Sequence, residues 1–134
     1  MEPEQEPTMS VAEIKSATVQ IPYDSLFRYN ERYVGAIIFF RGEVVQAVSG
    51  SEADSYVLRV ATKQEFFGST AIWDKDIIWV NYNGLRVLEK DMVDVWGRVV
   101  GLQEYTAVLG NQITVPAVLS LHLEVEGHSF LLAP

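Results

Sequence analysis

The sequence predicts an all-β fold: a small five-stranded barrel with one short helix ahead of its first strand. Three observations carry this. Beyond Gly35, apolar and polar residues alternate in five successive segments, packed into about 90 residues. Turn-like stretches rich in Gly, Ser and Asp separate the segments. The stretch AIIFFRGEVVQAV, Ala36–Val48, also changes character halfway, being apolar on both faces before Gly42 and one-sided after it.

Each element follows in order. Met1–Ser10 is acidic and Pro-rich and reads as disordered. Pro22–Tyr33 is the helix. Pro22 suits a first turn, Leu26, Phe27, Tyr29 and Tyr33 give a partial 3–4 spacing, and Gly35 can end it. The first strand covers Ala36–Val48, and Gly50–Ser55 is a polar turn. The second, YVLRVAT, covers Tyr56–Thr62. Lys63–Lys75 is expected to be a long connection with a helical turn, its Trp73 plugging a barrel end. The third strand, IIWVNY, covers Ile77–Tyr82. The fourth, MVDVWGRVV, covers Met92–Val100, and the fifth lies within Ile113–Glu124. The expected division is a disordered acidic tail over 1–18, a barrel domain over 19–126, and a C-terminal segment or linker over 127–134.

The halfway change in the first strand has a physical meaning. In a small closed barrel the first strand is long. It pairs with different neighbours in its two halves, and a glycine or bulge permits the bend. Gly42 is the candidate bend, with Gly97 a second one in the fourth strand. This is the design of the OB-fold, a five-stranded Greek-key barrel. Strict alternation places Ile38, Phe40, Gly42 and Val44 inward, and Ile37, Phe39 and Arg41 outward.

Composition sets the outer limits. The 134 residues suit one domain, and 49% hydrophobic content suffices for a buried core. There is no cysteine, so disulfides, thiolate metal sites and a cysteine nucleophile are excluded. Net charge is −8. Glu2, Glu4, Glu6 and Glu13 precede the first base, Lys15, which leaves about −4 for the rest. That sign repels nucleic-acid phosphates at long range. No apolar run approaches the ~20 residues of a membrane span. The N-terminus lacks the apolar core of a signal peptide. The chain is therefore expected to be cytoplasmic, or extracytoplasmic as a trimmed lipoprotein domain.

Four stretches in order resemble a bacterial group, the tRNA-anticodon-binding-like OB-fold family, found often in secreted proteins and lipoproteins. They are IPYDSLFRYNERYVG (Ile21–Gly35), FRGEVVQ (Phe40–Gln46), RVLEKDMVDVWG (Arg86–Gly97) and GLQEYTAVLGNQITVPAV (Gly101–Val118). The resemblance implies a fold more than a ligand. Its motif residues are glycines at bends, apolar core positions and Pro116 at the start of the fifth strand, so no catalytic residue carries over. This chain departs from the family pattern at Ile37 and Phe39, where members carry charged or polar side chains.

Catalysis and metal binding find little support. Only His122 and His128 offer imidazole bases, and both fit a strand-flanking or surface role. No nucleophile elbow, phosphate loop or dinucleotide fingerprint occurs. Asp74 with Asp76, and Glu52 with Asp54, fit solvated turns rather than a calcium loop. No catalytic residue, metal or cofactor is therefore expected, and a small hydrolase is the least favoured class.

The candidate site is the outward face of the first three strands, with Ile37, Phe39 and Arg41, then Val57 and Arg59, then Ile77 and Trp79. Trp96 and Arg98 on the fourth strand and Tyr105 in the following loop are secondary candidates. Trp, Phe and Arg are the residues enriched at protein hot spots. Aromatics interleaved with arginines equally suit stacked bases and phosphates. The bland reading is that the N-terminal segment Val19–Ile21, the helix or Phe130-Leu131-Leu132 covers this face. The expected function is a non-enzymatic binding module that contacts a protein. Single-stranded nucleic acid or an oligosaccharide is the runner-up, and the negative charge counts against nucleic acid.

Overall fold

The computed structural model describes residues 9–50 and 55–126. Residues 1–8, Glu52, Asp54, His128 and Phe130–Leu132, for which the sequence carries expectations, lie outside these described residues. Three short helices precede the barrel: α1 (Val11–Ala17), α2 (Tyr23–Arg28) and α3 (Asn30–Tyr33), with a two-residue strand β1 (Thr18–Val19) after α1. The barrel strands are β2 (Ile37–Ser49), β3 (Ser55–Phe67), β4 (Thr70–Asn83), β5 (Met92–Thr106) and β6 (Gln112–Val125). They are the five strands expected from the alternation.

The ladder closes on itself. β2 pairs antiparallel with β3, β3 with β4 and β5 with β6, while β4 runs parallel to β6 and β5 returns to β2. This circuit is the OB-type Greek-key barrel. Closure removes the open edges of the main sheet.

β2 closes the barrel by serving two neighbours. Ile37–Glu43 pair with β5, and Glu43–Ser49 pair with β3. The switch falls beside Gly42. A Cβ built there would lie 2.1 Å from the Ala61 carbonyl oxygen, so no side chain fits. Gly97 sits at a register shift against β6, and its Cβ would meet Val118 Cγ2 at 2.8 Å. Both glycines serve the bends expected of them.

Inward residues form one core. Ile38, Phe40, Val44, Leu58, Val60, Ile78, Val80, Val93, Val95, Val99 and Val118 are buried together. Leu26 of α2 joins them at 1% exposure. The Tyr23 hydroxyl fixes α2 by donating to the Ile77 carbonyl at 2.8 Å.

β5 runs on to Thr106, so Tyr105 lies on a strand and not in the loop after it, and the expected helix Pro22–Tyr33 is broken at Tyr29 into α2 and α3. Two further regions differ from expectation. Lys63–Lys75 is not a loop with a helical turn. β3 and β4 continue as an arm with register Lys63↔Lys75, Gln64↔Trp73 and Phe67↔Thr70. Gly68 makes this possible, because its φ of 67° suits a two-residue hairpin turn. Trp73 therefore lies on the arm, half-buried, and not among the core residues at a barrel end.

The second difference is at Val11–Ala17, expected within the tail, which forms α1. Ser10 caps it: the Ser10 Oγ accepts from the Glu13 N–H, and the Glu13 carboxylate accepts from the Ser10 N–H. This reciprocal box satisfies two donors that a helix start otherwise leaves without partners. Ile14, buried to 4% exposure, anchors the helix.

Candidate ligand-binding face

The residues expected on one face divide into two clusters, because the bend in β2 separates them. Before the bend, β2 lies against β5. Ile37, Phe39 and Arg41 therefore share a surface with Trp96 and Arg98, not with Arg59 and Trp79. After the bend, β2 lies against β3, and Gln46 stands opposite Arg59.

The first cluster is largely occupied by the protein itself. Phe39 packs on Trp96 with ring centroids 4.9 Å apart, and Trp96 on His122 at 5.2 Å. Lys15 of α1 lies over the Trp96 ring at 4.6 Å and reaches Glu124 at 3.6 Å. The His122 Nε2–H donates to Glu124 at 2.9 Å. That hydrogen bond, aided by Lys15, holds the Glu124 carboxyl below its ordinary range. Ile37 pairs with Thr18 of β1 and is buried. Arg41 pairs with Asp94 and Glu126, and Arg98 donates to the Gly35 carbonyl. Lys15 of α1 thus covers Trp96, and β1 lies along the edge of β2 at Ile37 and Ile38.

The second cluster faces outward beside the β5–β6 loop. Arg59 and Trp79 stand opposite each other on β3 and β4. The Arg59 guanidinium lies over the Tyr105 ring at 4.3 Å and donates to the side-chain amide oxygen of Gln46. Tyr105 is 6.0 Å from Trp79, the rings inclined at 30°. These side chains form a half-exposed aromatic platform with one cation seated on it. A groove of about 540 Å³ runs beside it, lined by Gln46, Arg59, Tyr105, Ala107, Asn111 and Ile113 among others. Val108 and Leu109 rim the groove with side chains almost wholly exposed, at 101% and 93%.

The sequence placed Arg59 and Trp79 together and offered Tyr105 as a secondary candidate, while Gln46, Val108 and Leu109 were not among its candidates. Gln46 was hidden by a bulge. Val44 pairs with Val60 and Gln46 with Arg59, so Val45 is the extra residue. A bulge reverses the alternation beyond it. The tip residues Val108 and Leu109 carried a signal that went unused: two apolar side chains in a Gly-closed loop.

Tyr23 borders this region from α2. Burial raises its hydroxyl above the ordinary tyrosine range, with Asp76 and Tyr105 adding to the effect. Among the described residues, no three His, Asp or Glu side chains converge as a metal site would need. Nor is any described helix long and apolar enough to cross a membrane.

Comparison with known proteins gives structural likeness only. No family model matches the chain. No curated protein matches it either. Among solved structures, a small single-stranded DNA-binding protein from Streptomyces coelicolor aligns at 16% identity with TM-score 0.48, covering 69% of this chain and 95% of that one. A putative aspartyl-tRNA synthetase from Leishmania major Friedlin aligns at 13% identity and TM-score 0.48, over 89% of this chain and 22% of the synthetase. A small single-stranded DNA binding protein from Mycoplasma pneumoniae aligns at 13% identity and TM-score 0.31, over 63% of this chain and 88% of that one. The OB-type fold rests on the strand circuit itself: five strands, a parallel β4–β6 pair, and β2 shared between β3 and β5.

Proposed function

We propose that this chain is a non-enzymatic binding module whose ligand is a protein, held by the outward face of β3 and β4 and the β5–β6 loop. One observation carries the reading. Val108 and Leu109 stand almost fully exposed at the rim of a groove floored by Arg59 and Tyr105, with Trp79 alongside. Apolar anchors around an aromatic–arginine centre are the composition of a protein contact. The net charge of −8 supports a partner other than a polyanion. The tRNA-anticodon-binding-like resemblance belongs to the same proposal. In support, Gly42 and Gly97 lie at bends, Gly110 takes φ 94° in the loop, and Pro116 is fully buried within β6.

A second reading, single-stranded nucleic acid or an oligosaccharide, is favoured by the location. The second and third barrel strands, with the loop joining the fourth and fifth, are where OB-folds bind oligonucleotides and oligosaccharides. Trp79 and Tyr105 offer faces for stacking.

The test is an amide NMR titration with a mixed-sequence single-stranded oligonucleotide, at low and then moderate salt. It is paired with affinity capture by wild-type, Trp79→Ala and Leu109→Asp chains. The protein reading expects a flat titration and a captured protein lost from both variants. Shifts at Arg59, Trp79 and Tyr105 that fade with salt would overturn it in favour of nucleic acid, since salt dependence marks counterion release.

A further inference from the structure

The β3–β4 arm presents a different surface from the groove. The ladder to β2 ends at Glu43↔Ala61, and the ladder to β6 begins at Trp79↔Ala117. Beyond these points, β3 from Thr62 and β4 up to Ile78 pair only with each other among the described strands. Their outer edges therefore present backbone donors and acceptors, which native sheets ordinarily cover or disrupt. Phe66, Phe67 and Ile72 are 66%, 55% and 42% exposed on this arm.

The two edges differ. On β4 the register slips past Asp74, Asp76 has φ 54°, and the Ile77 carbonyl is already taken by Tyr23. A bulge and a left-handed residue disrupt regular pairing there. On β3, Thr62–Phe66 run on without interruption. That edge is also self-complementary. Lys63 and Glu65 lie two residues apart and so share a face. An antiparallel copy centred on Gln64 sets each Lys63 opposite the other copy's Glu65, giving two opposite-charge pairs about a two-fold axis. The arm's Lys63, Glu65, Asp74, Lys75 and Asp76 nearly cancel in charge, in a chain of −8. It is thus a place where two acidic copies can meet with little repulsion.

We propose that the outer edge of β3, Thr62–Phe66, docks the same edge of a second copy, forming an antiparallel dimer centred on Gln64. The partner is another copy of this chain because a symmetric contact gives each exposed Lys63 a carboxylate, Glu65, which within its own chain reaches Lys75 at 3.5 Å and would then lie between two lysines, whereas a one-sided acceptor would need a complementary sequence of its own.

The experiment is sedimentation velocity of the full chain from micromolar to millimolar concentration, with amide hydrogen exchange at both extremes. The wild type is expected to dimerise, with exchange at residues 63–66 slowing as concentration rises. Lys63→Glu and Glu65→Lys should each weaken the dimer by about tenfold or more, since each replaces two attractions by two repulsions. The double variant restores opposite charges and should recover the dimer. Far-UV circular dichroism checks that each variant stays folded. A wild type that stays monomeric at millimolar concentration would overturn the proposal. So would a dimer insensitive to both single charge changes, or a double variant that does not recover.

Discussion

Gly42 leaves so little room that one added methyl tests the whole bend. Its would-be Cβ meets a backbone oxygen of β3, which cannot step aside without parting the strands. Gly42→Ala is therefore expected to lose about 3 kcal/mol or more in urea unfolding. At Gly97 the nearest atom is a Val118 methyl, and side chains yield more readily. Gly97→Ala should cost less, about 1–2 kcal/mol in the same assay. Tyr23 makes a different point. Its hydroxyl is raised above 10.0, first by burial. A group raised in the fold stabilises it fully below the unfolded value and loses that contribution as pH rises above it. Unfolding titrations should show wild-type stability falling above about pH 10, with a shallower fall in Tyr23→Phe. At neutral pH Tyr23→Phe leaves the Ile77 carbonyl without its donor and should cost about 1 kcal/mol.

Among the elements, α1 shows how a short helix can alter what a sheet displays. Seven residues form a marginal helix in isolation, so capping and docking must hold it. Ser10 supplies the cap, while Ile14 and Lys15 supply the docking. Ser10→Ala should cost about 1 kcal/mol of helix stability, read as roughly fivefold faster amide exchange in α1. Glu124 holds the other side of this contact. Its carboxyl is lowered from 4.5, first by the His122 hydrogen bond and also by Lys15. A lowered carboxyl contributes above its unfolded value and loses that contribution as pH falls through the folded one. Glu124→Gln should therefore be slightly less stable than wild type at neutral pH. The gap should close below the ordinary carboxyl range, and paired denaturation curves check it. The effect is small because the side chain is half exposed and solvent screens the pair.

For the molecule as a whole, closure decides which side chains remain for a ligand. The half of the β2 outer face beside β5 is spent on α1, β1 and local ion pairs. The half beside β3 stays open with Gln46, Arg59, Trp79 and Tyr105. Trp79→Ala should abolish partner capture while the barrel stays folded. Trp79 points away from the core, and its loss removes a half-exposed ring rather than a buried one. An unfolded variant would show instead that the ring props up Tyr105 and the β5–β6 loop.

Five strands, two bends and the helix before the first strand were legible in the chain because each is a local property. Alternation shows which residues can face a core. A glycine among large side chains marks where backbones must approach, and Leu26 at helical spacing marks a buried turn. Even α1 had a local signature, Ser10-Val-Ala-Glu13, that reads as a capping box once a helix is suspected. The arm was also local: Phe66-Phe67-Gly68-Ser69 is a strand end with a two-residue turn. The composition of the site was not local. Which neighbour the first half of β2 takes depends on β5, some 50 positions downstream, and the bulge at Val45 reverses the parity that places Gln46. Pairing and parity are set by contacts distant in sequence. Only the closed barrel could therefore separate Phe39 and Arg41 from Arg59 and Trp79, and bring Tyr105 and the β5–β6 loop to the latter pair.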